Sequence, residues 1–143
     1  MNMLSSAIVN KTNVPVLSGG MNAAMLRARV TANNIANVNT PGFARLDVKF
    51  EEELRQALDR TRLQGKRTDG GHLQIGRLDL NEVGPTAYRP YDPTQPSGVN
   101  NVDIDTEMSK LAETQIMFGY MHKLNQGVFN KLNAAIQARS IQQ

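Results

Sequence analysis

Residues 17–43, LSGGMNAAMLRARVTANNIANVNTPGF, decide the fold. Leu17, Met21, Ala24, Ala28, Thr31, Ile35 and Val38 follow one another at alternating steps of four and three. Met25 and Ala32 lie beside them, and Arg27, Arg29, Asn33 and Asn34 occupy the rest of the circumference. That spacing predicts an amphipathic helix hiding one stripe. Its start has two readings. Asn13 with Pro15 makes a good first turn, but Gly19 and Gly20 each cost a helix interior about 1 kcal/mol, which favours Ser18 as the cap. At the far end Asn37 is suited to a left-handed cap, and Thr40-Pro41-Gly42-Phe43 reads as a type II turn, with proline presetting φ and glycine supplying a positive one.

A second long helix is predicted from Asp103 to the C-terminus, a stretch without proline. Asp103, Asp105 and Glu107 are placed to cap it and to complement its dipole. Met117, Met121, Leu124, Val128, Leu132 and Ala135 form one stripe, and Ile104, Leu111, Phe118, Phe129 and Ile136 a second beside it. Residues 103 to 140 as one helix would be about 57 Å long, whereas a compact chain of this size is roughly 37 Å across. Such a helix protrudes and wants neighbours. We expect Met117, Met121, Leu124 and Val128 to pack on Leu17, Met21, Ala24, Ala28 and Ile35 within the chain. Leu111, Phe118, Phe129 and Ile136 are then left for adjacent subunits.

Between the helices the texture changes. A short helix is expected at about 47–62, with Phe50, Leu54, Ala57 and Leu58 on one side and Glu51 four residues before Arg55. From Leu63 to Asn101 fall six of the eleven glycines and four of the six prolines, so extended segments and turns should dominate. The expected organisation is 1–38 as the N-terminal helical segment, 39–101 as the middle segment and 102–143 as the C-terminal helix. The fold class is mainly α, with the terminal helices paired as an antiparallel, coiled-coil-like unit.

Composition narrows the function. The 143 residues are 40% hydrophobic with only seven aromatics, so the core relies on Leu, Ile, Met, Val and Ala, which suits helix packing. No cysteine is present, which excludes disulfides and thiolate metal sites. No apolar run exceeds the four residues Ala23 to Leu26, so no membrane span is expected, and the first 15 residues lack the apolar core of a cleaved signal peptide. His72 and His122 do not form a zinc pattern, Asp103-Ile104-Asp105 lacks the glycine of a calcium loop, and no nucleophile is paired with a base. Neither catalysis nor a cofactor is expected. The net charge of +3 is a weak argument for nucleic-acid binding, and Arg60, Arg62, Lys66 and Arg67 with Tyr88 and Tyr91 are its best case. A solvated loop accounts for them as well.

Asn33, Asn34, Asn37, Asn39, Thr40, Pro41, Gly42 and Phe43, within the run from Ala32, resemble the signature of the bacterial flagellar axial proteins of rod and hook. Asn100 to Met108, then Leu111-Ala112-Glu113-Thr114 and the ending Leu132 to Ile136, are similar to the short basal-body rod proteins of the proximal rod. The resemblance covers most of the chain and weakens before Val16. It implies a non-catalytic subunit whose terminal helices stack with those of its neighbours into a tubular shaft, with the middle segment outside. It further implies export through the flagellar type III apparatus without a cleaved signal, and a place in the rod crossing the periplasm. The implied partners are further copies, other rod proteins, the adaptor protein FliE, the MS ring and the export gate. Another short rod subunit is the alternative reading, and a small basic nucleic-acid-binding module a more distant one.

Overall fold

The computed structural model describes residues 13–59, 83–91 and 100–140, with side chains to 137. Among these residues three helices and one two-stranded sheet occur in the order α1 (Val14–Ala36), β1 (Asp47–Lys49), α2 (Glu51–Leu58), β2 (Thr86–Tyr88) and α3 (Ile104–Ser140). The described part is mainly helical, and α1 against α3 is the largest packing between elements. The cationic cluster Arg60 to Arg67, and His72, lie outside the described residues.

The helix α1 starts at Asn13 with Pro15 in its first turn, so Ser18 is not its cap and both glycines lie inside it. Close approach explains them. A Cβ at Gly19 would stand 3.2 Å from Cζ of Phe50, and one at Gly20 would stand 2.6 Å from Sδ of Met121. The two glycines thus let α1 meet two neighbours at once, which offsets their cost to the helix.

The end of α1 also differs from expectation. Asn37 has φ −103°, so it is no left-handed cap. Its N–H is instead shared between the carbonyls of Asn33 and Asn34, Val38 N–H donates to Ile35 O, and the Asn37 side-chain amide returns to Asn33 O at 2.8 Å. The chain tightens rather than reverses there. The reversal comes at the turn: Gly42 has φ 73°, and Phe43 N–H donates to Thr40 O at 3.3 Å.

Beyond the turn, Asp47 to Lys49 is a strand, so the short helix spans only Glu51–Leu58. Val48 and Phe50 are both buried while Lys49 is exposed, the two-residue alternation of an extended chain. β1 pairs antiparallel with β2 in the register Asp47↔Tyr88, Val48↔Ala87, Lys49↔Thr86. The Lys49 ammonium lies 4.3 Å from the centre of the Tyr88 ring, a diagonal cross-strand contact. α2 opens with Glu51, Glu52 and Glu53, which complement its N-terminal dipole. Glu51 bonds Arg27 of α1 at 2.7 Å, and Arg55 pairs with Glu52 rather than with Glu51.

Two faces of α1 are therefore in use. Gly19, Arg27 and Asn34 face the 46–51 segment, through Phe50, the Val48 carbonyl with Glu51, and Leu46 respectively. Gly20, Ala24 and Ala28 face α3, through Met121, Thr114 and Phe118. Ala23, Ala24, Val30, Val48, Phe50 and Ala57 are the buried apolar side chains, a small core whose narrow residues bring backbones close.

Candidate functional site: a polar clasp and the outer faces of α3

The largest fully buried side chains among the described residues are polar. Asn34 is fully buried and Glu107 is 2% exposed. The Asn34 amide donates one N–H to Leu46 O at 2.8 Å and the other to Glu107 Oε2 at 2.8 Å, while its carbonyl accepts from Leu46 N–H at 3.0 Å. Every polar position that matters on this side chain is filled, as burial demands. The second oxygen of Glu107 accepts from Arg45 Nη1 at 3.2 Å and Lys110 Nζ at 3.3 Å. Asp47 lies 3.4 Å from Arg45 and 3.9 Å from Lys110, completing a set of two acids and two bases around the junction.

Two further asparagines tie the start of α3 to the end of α1. Asn100 Nδ2 reaches the carbonyls of Asn37, Val38 and Thr40 at 2.8, 2.7 and 3.0 Å. Asn101 Oδ1 accepts from Arg45 N–H at 2.7 Å. The asparagine run is thus used within the chain. Asn34 fixes the strand, Asn37 and Thr40 bond each other at 3.2 Å, and their carbonyls receive Asn100. Asn33, Asn39, Pro41 and Gly42 are exposed, and Phe43 is half-buried.

Asp103 stands at the start of α3. Its Oδ1 accepts from Asp105 N–H at 3.1 Å and its Oδ2 from Thr106 Oγ1 at 2.6 Å. The Thr106 hydroxyl, followed by the Asp105 amide, holds the carboxyl below the usual aspartate range. Asp105 lies in the first turn. Glu107 does not serve as a cap; its carboxylate is turned inward to Asn34.

The line of α3 that meets α1 runs through Glu107, Thr114, Phe118 and Met121, and Asn125 turns a buried carboxamide oxygen toward the same line. It falls between the two stripes expected from sequence. Met121 and Val128 are half-buried, but Met117 is 45% and Leu124 61% exposed, so these two do not form the pairing face. Leu111 and Phe118, expected outside, are half-buried, and Phe118 lines an apolar groove of about 270 Å³ with Ala24, Met25 and Ala28. Phe129 and Ile136 are 49% and 67% exposed. On α1, Ala24 is buried, while Leu17, Met21, Ala28 and Ile35 are half-buried. A wheel judged by hydrophobicity alone misses this line because its deepest members are Glu107 and Thr114. The seven-residue spacing Glu107, Thr114, Met121, Val128 was the available signal.

No group of three or more acidic or histidine side chains converges as a metal site among the described residues. Nor is any helix there long and apolar enough to cross a membrane. What the site offers is a rigid junction and long apolar surfaces, the equipment of a structural protein of helical assemblies.

Comparison with known proteins gives that class its particular form. Residues 16–43, from α1 through the glycine turn, match the family described as "Flagella basal body rod protein". The flagellar basal body rod protein FlgB of Bacillus subtilis is 32% identical over 140 residues, covering 95% of this chain and 97% of that protein. FlgB of Borreliella burgdorferi is 32% identical over 78% of this chain and 86% of its own. FlgB of Escherichia coli is 32% identical over 68% and 73%. The chain belongs to the FlgB family of flagellar basal body rod proteins. It is a structural subunit of the basal body, not an enzyme.

Proposed function

We propose that the α1–α3 pair is the unit that stacks with its equivalents in neighbouring subunits to form the tubular core of the proximal rod. The pair acts as a coiled-coil-like post, and the glycine- and proline-rich middle segment packs outside it. The observation that carries this reading is the exposed apolar surface of α3. Its 37 residues make a helix about 55 Å long, along which Ile104, Met108, Phe129 and Ile136 remain 45 to 67% exposed. A surface of that length is stable in water only when other chains cover it.

Leu111, Phe118, Phe129 and Ile136 are assigned to contacts between subunits, with the groove of Ala24, Met25 and Ala28 alongside. The partners are further copies, the other rod proteins, the adaptor FliE, and the MS ring and export gate at the rod's inner end. The subunit reaches its place in the rod across the periplasm by the flagellar export route. The clasp at Asn34 fixes how the middle segment leaves the post, so that every subunit presents it at the same angle.

Phe129→Ser tests this. Phe129 lies away from the clasp, so the isolated variant should keep its helical content by circular dichroism, while cells carrying it should lose motility and rods should be missing from purified basal bodies. Normal swimming with intact rods would overturn the assignment of this face.

A further inference from the structure

Ile116, Tyr120 and Leu124, with Met117 beside Leu124 at 45% exposed, are apolar residues of α3 that neither the intrachain packing nor the assembly face just described uses. The first three are 62, 66 and 61% exposed and follow one another at i,i+4 spacing. They lie on the side of α3 turned away from Glu107, Thr114 and Met121, the residues that meet α1. Gly127 shares that side. A Cβ there would meet nothing within 4 Å, in contrast to Gly20, whose missing Cβ makes room for Met121. Among the described residues, then, nothing offsets the roughly 1 kcal/mol that a helical glycine costs. The charges flanking this face are sorted along the helix. Asp105 and Glu113 precede Ile116, no acid follows, Lys123 and Lys131 come after, and Lys110, the base that precedes it, is paired with Glu107 and Asp47 at the clasp.

We propose that this face docks on a second copy of the chain, antiparallel, about a two-fold axis at Tyr120. Ile116 then lies opposite the partner's Leu124, and Tyr120 meets the partner's Tyr120. Glu113 falls within about one helical turn of the partner's Lys131 on the same flank, and the symmetry makes that pair twice. Gly127 comes opposite Glu113 and leaves room for the approach. A parallel pairing in register would instead set Lys123 against Lys123 and Lys131 against Lys131, so the charges select the antiparallel arrangement. A contact of this kind uses the same patch on both copies and closes on itself, whereas a rod needs contacts that remain open to the next subunit. The pair is therefore a state of the free subunit, distinct from the rod contact. It covers Ile116, Tyr120 and Leu124 in the free subunit.

Sedimentation equilibrium of the full chain across a concentration series tests the proposal, with circular dichroism as a check that each variant keeps its helices. The wild type should pass from monomer to a species of twice its mass and go no further, and added salt should weaken the dimer. Lys131→Glu and Glu113→Lys should each weaken it roughly threefold to tenfold, and the double swap should restore it. The chain has no cysteine, so Tyr120→Cys should give a single disulfide-linked dimer under mild oxidation. A monomer at all concentrations, open-ended polymers, or a dimer indifferent to Tyr120→Ser and to the charge swap would each overturn the proposal. Because rod assembly is read separately in purified basal bodies, its failure and the failure of the dimer remain distinct.

Discussion

Asn34 concentrates the largest residue-scale effects in the molecule. Its amide serves both backbone groups of Leu46, the residue that leads into β1, and a buried carboxylate at once. Asn34→Ala leaves the Leu46 backbone and one oxygen of Glu107 without their partner, each an unmet buried group costing roughly 1 to 3 kcal/mol. We expect a loss of about 2 to 5 kcal/mol in urea unfolding of the full chain. Asn34→Asp should be at least as damaging, since it sets a second carboxylate against Glu107; a stability equal to wild type would contradict the clasp. Asp103 gives a pH signature of the opposite accessibility. Its carboxyl is held low by the Thr106 hydroxyl and the Asp105 amide, so its contribution to stability is present above its unfolded value of 3.8. The contribution is lost as pH falls from there through the lower folded value. Asp103→Asn should therefore flatten the acid limb of helicity below about pH 3.8, by lowering the neutral plateau while leaving the acid end nearly as it was.

At the scale of elements the glycines separate into two kinds, and the sign of an alanine substitution tells them apart. At Gly19 the new methyl would press on the ring of buried Phe50, 3.2 Å away, and the ring has little room to yield. Gly19→Ala should destabilise despite the gain in helix propensity. At Gly127 nothing stands in the way, so Gly127→Ala should stabilise the chain by about 0.5 to 1 kcal/mol. Thermal melts of the two variants should move in opposite directions. The same glycines show where sequence reasoning stopped. Hydrophobic spacing located α1, α3 and the turn at Gly42, because each is a local pattern. It left the start of α1 open between Asn13 and Ser18 because the cost of Gly19 and Gly20 is local while their benefit lies in Phe50 and Met121, 31 and 101 residues away. Asp47 to Lys49 was read as helix for a similar reason: its strand partner, Thr86 to Tyr88, is 39 residues on, beyond any window of periodicity.

For the whole molecule the packing is uneven. Buried side chains cluster from Ala23 to Asn34 on α1 and at Glu107 and Thr114 on α3, whereas from Phe129 to Gln137 all but half-buried Leu132 are exposed. Amide exchange in the free chain should be slowest around residues 23–34 and 107–121 and should quicken toward the end of α3. Uniform protection along all of α3 would show that the monomer needs no neighbour there. The candidate site was only half legible from sequence. The asparagine run and the acidic start of α3 both stood out, but each was read as serving its own helix end. That Asn34 and Glu107 serve each other is visible only once the chain is folded, since a carboxylate in a predicted first turn is ordinarily a capping group facing water.

The Asn34–Glu107 bond joins positions 73 residues apart. Until the beginning of α3 exists and has come back to Leu46, the far end of α1 has a strand to hold but no anchor for it, and closing a segment of that length is an entropic search rather than a local step. Timing is thus written into the clasp. A chain emerging from its N-terminus forms α1 early and completes the junction only after about three quarters of it has appeared. Folding of the junction and the arrival of the last helix are in that way a single event, completed at the end of synthesis or delivery, not before.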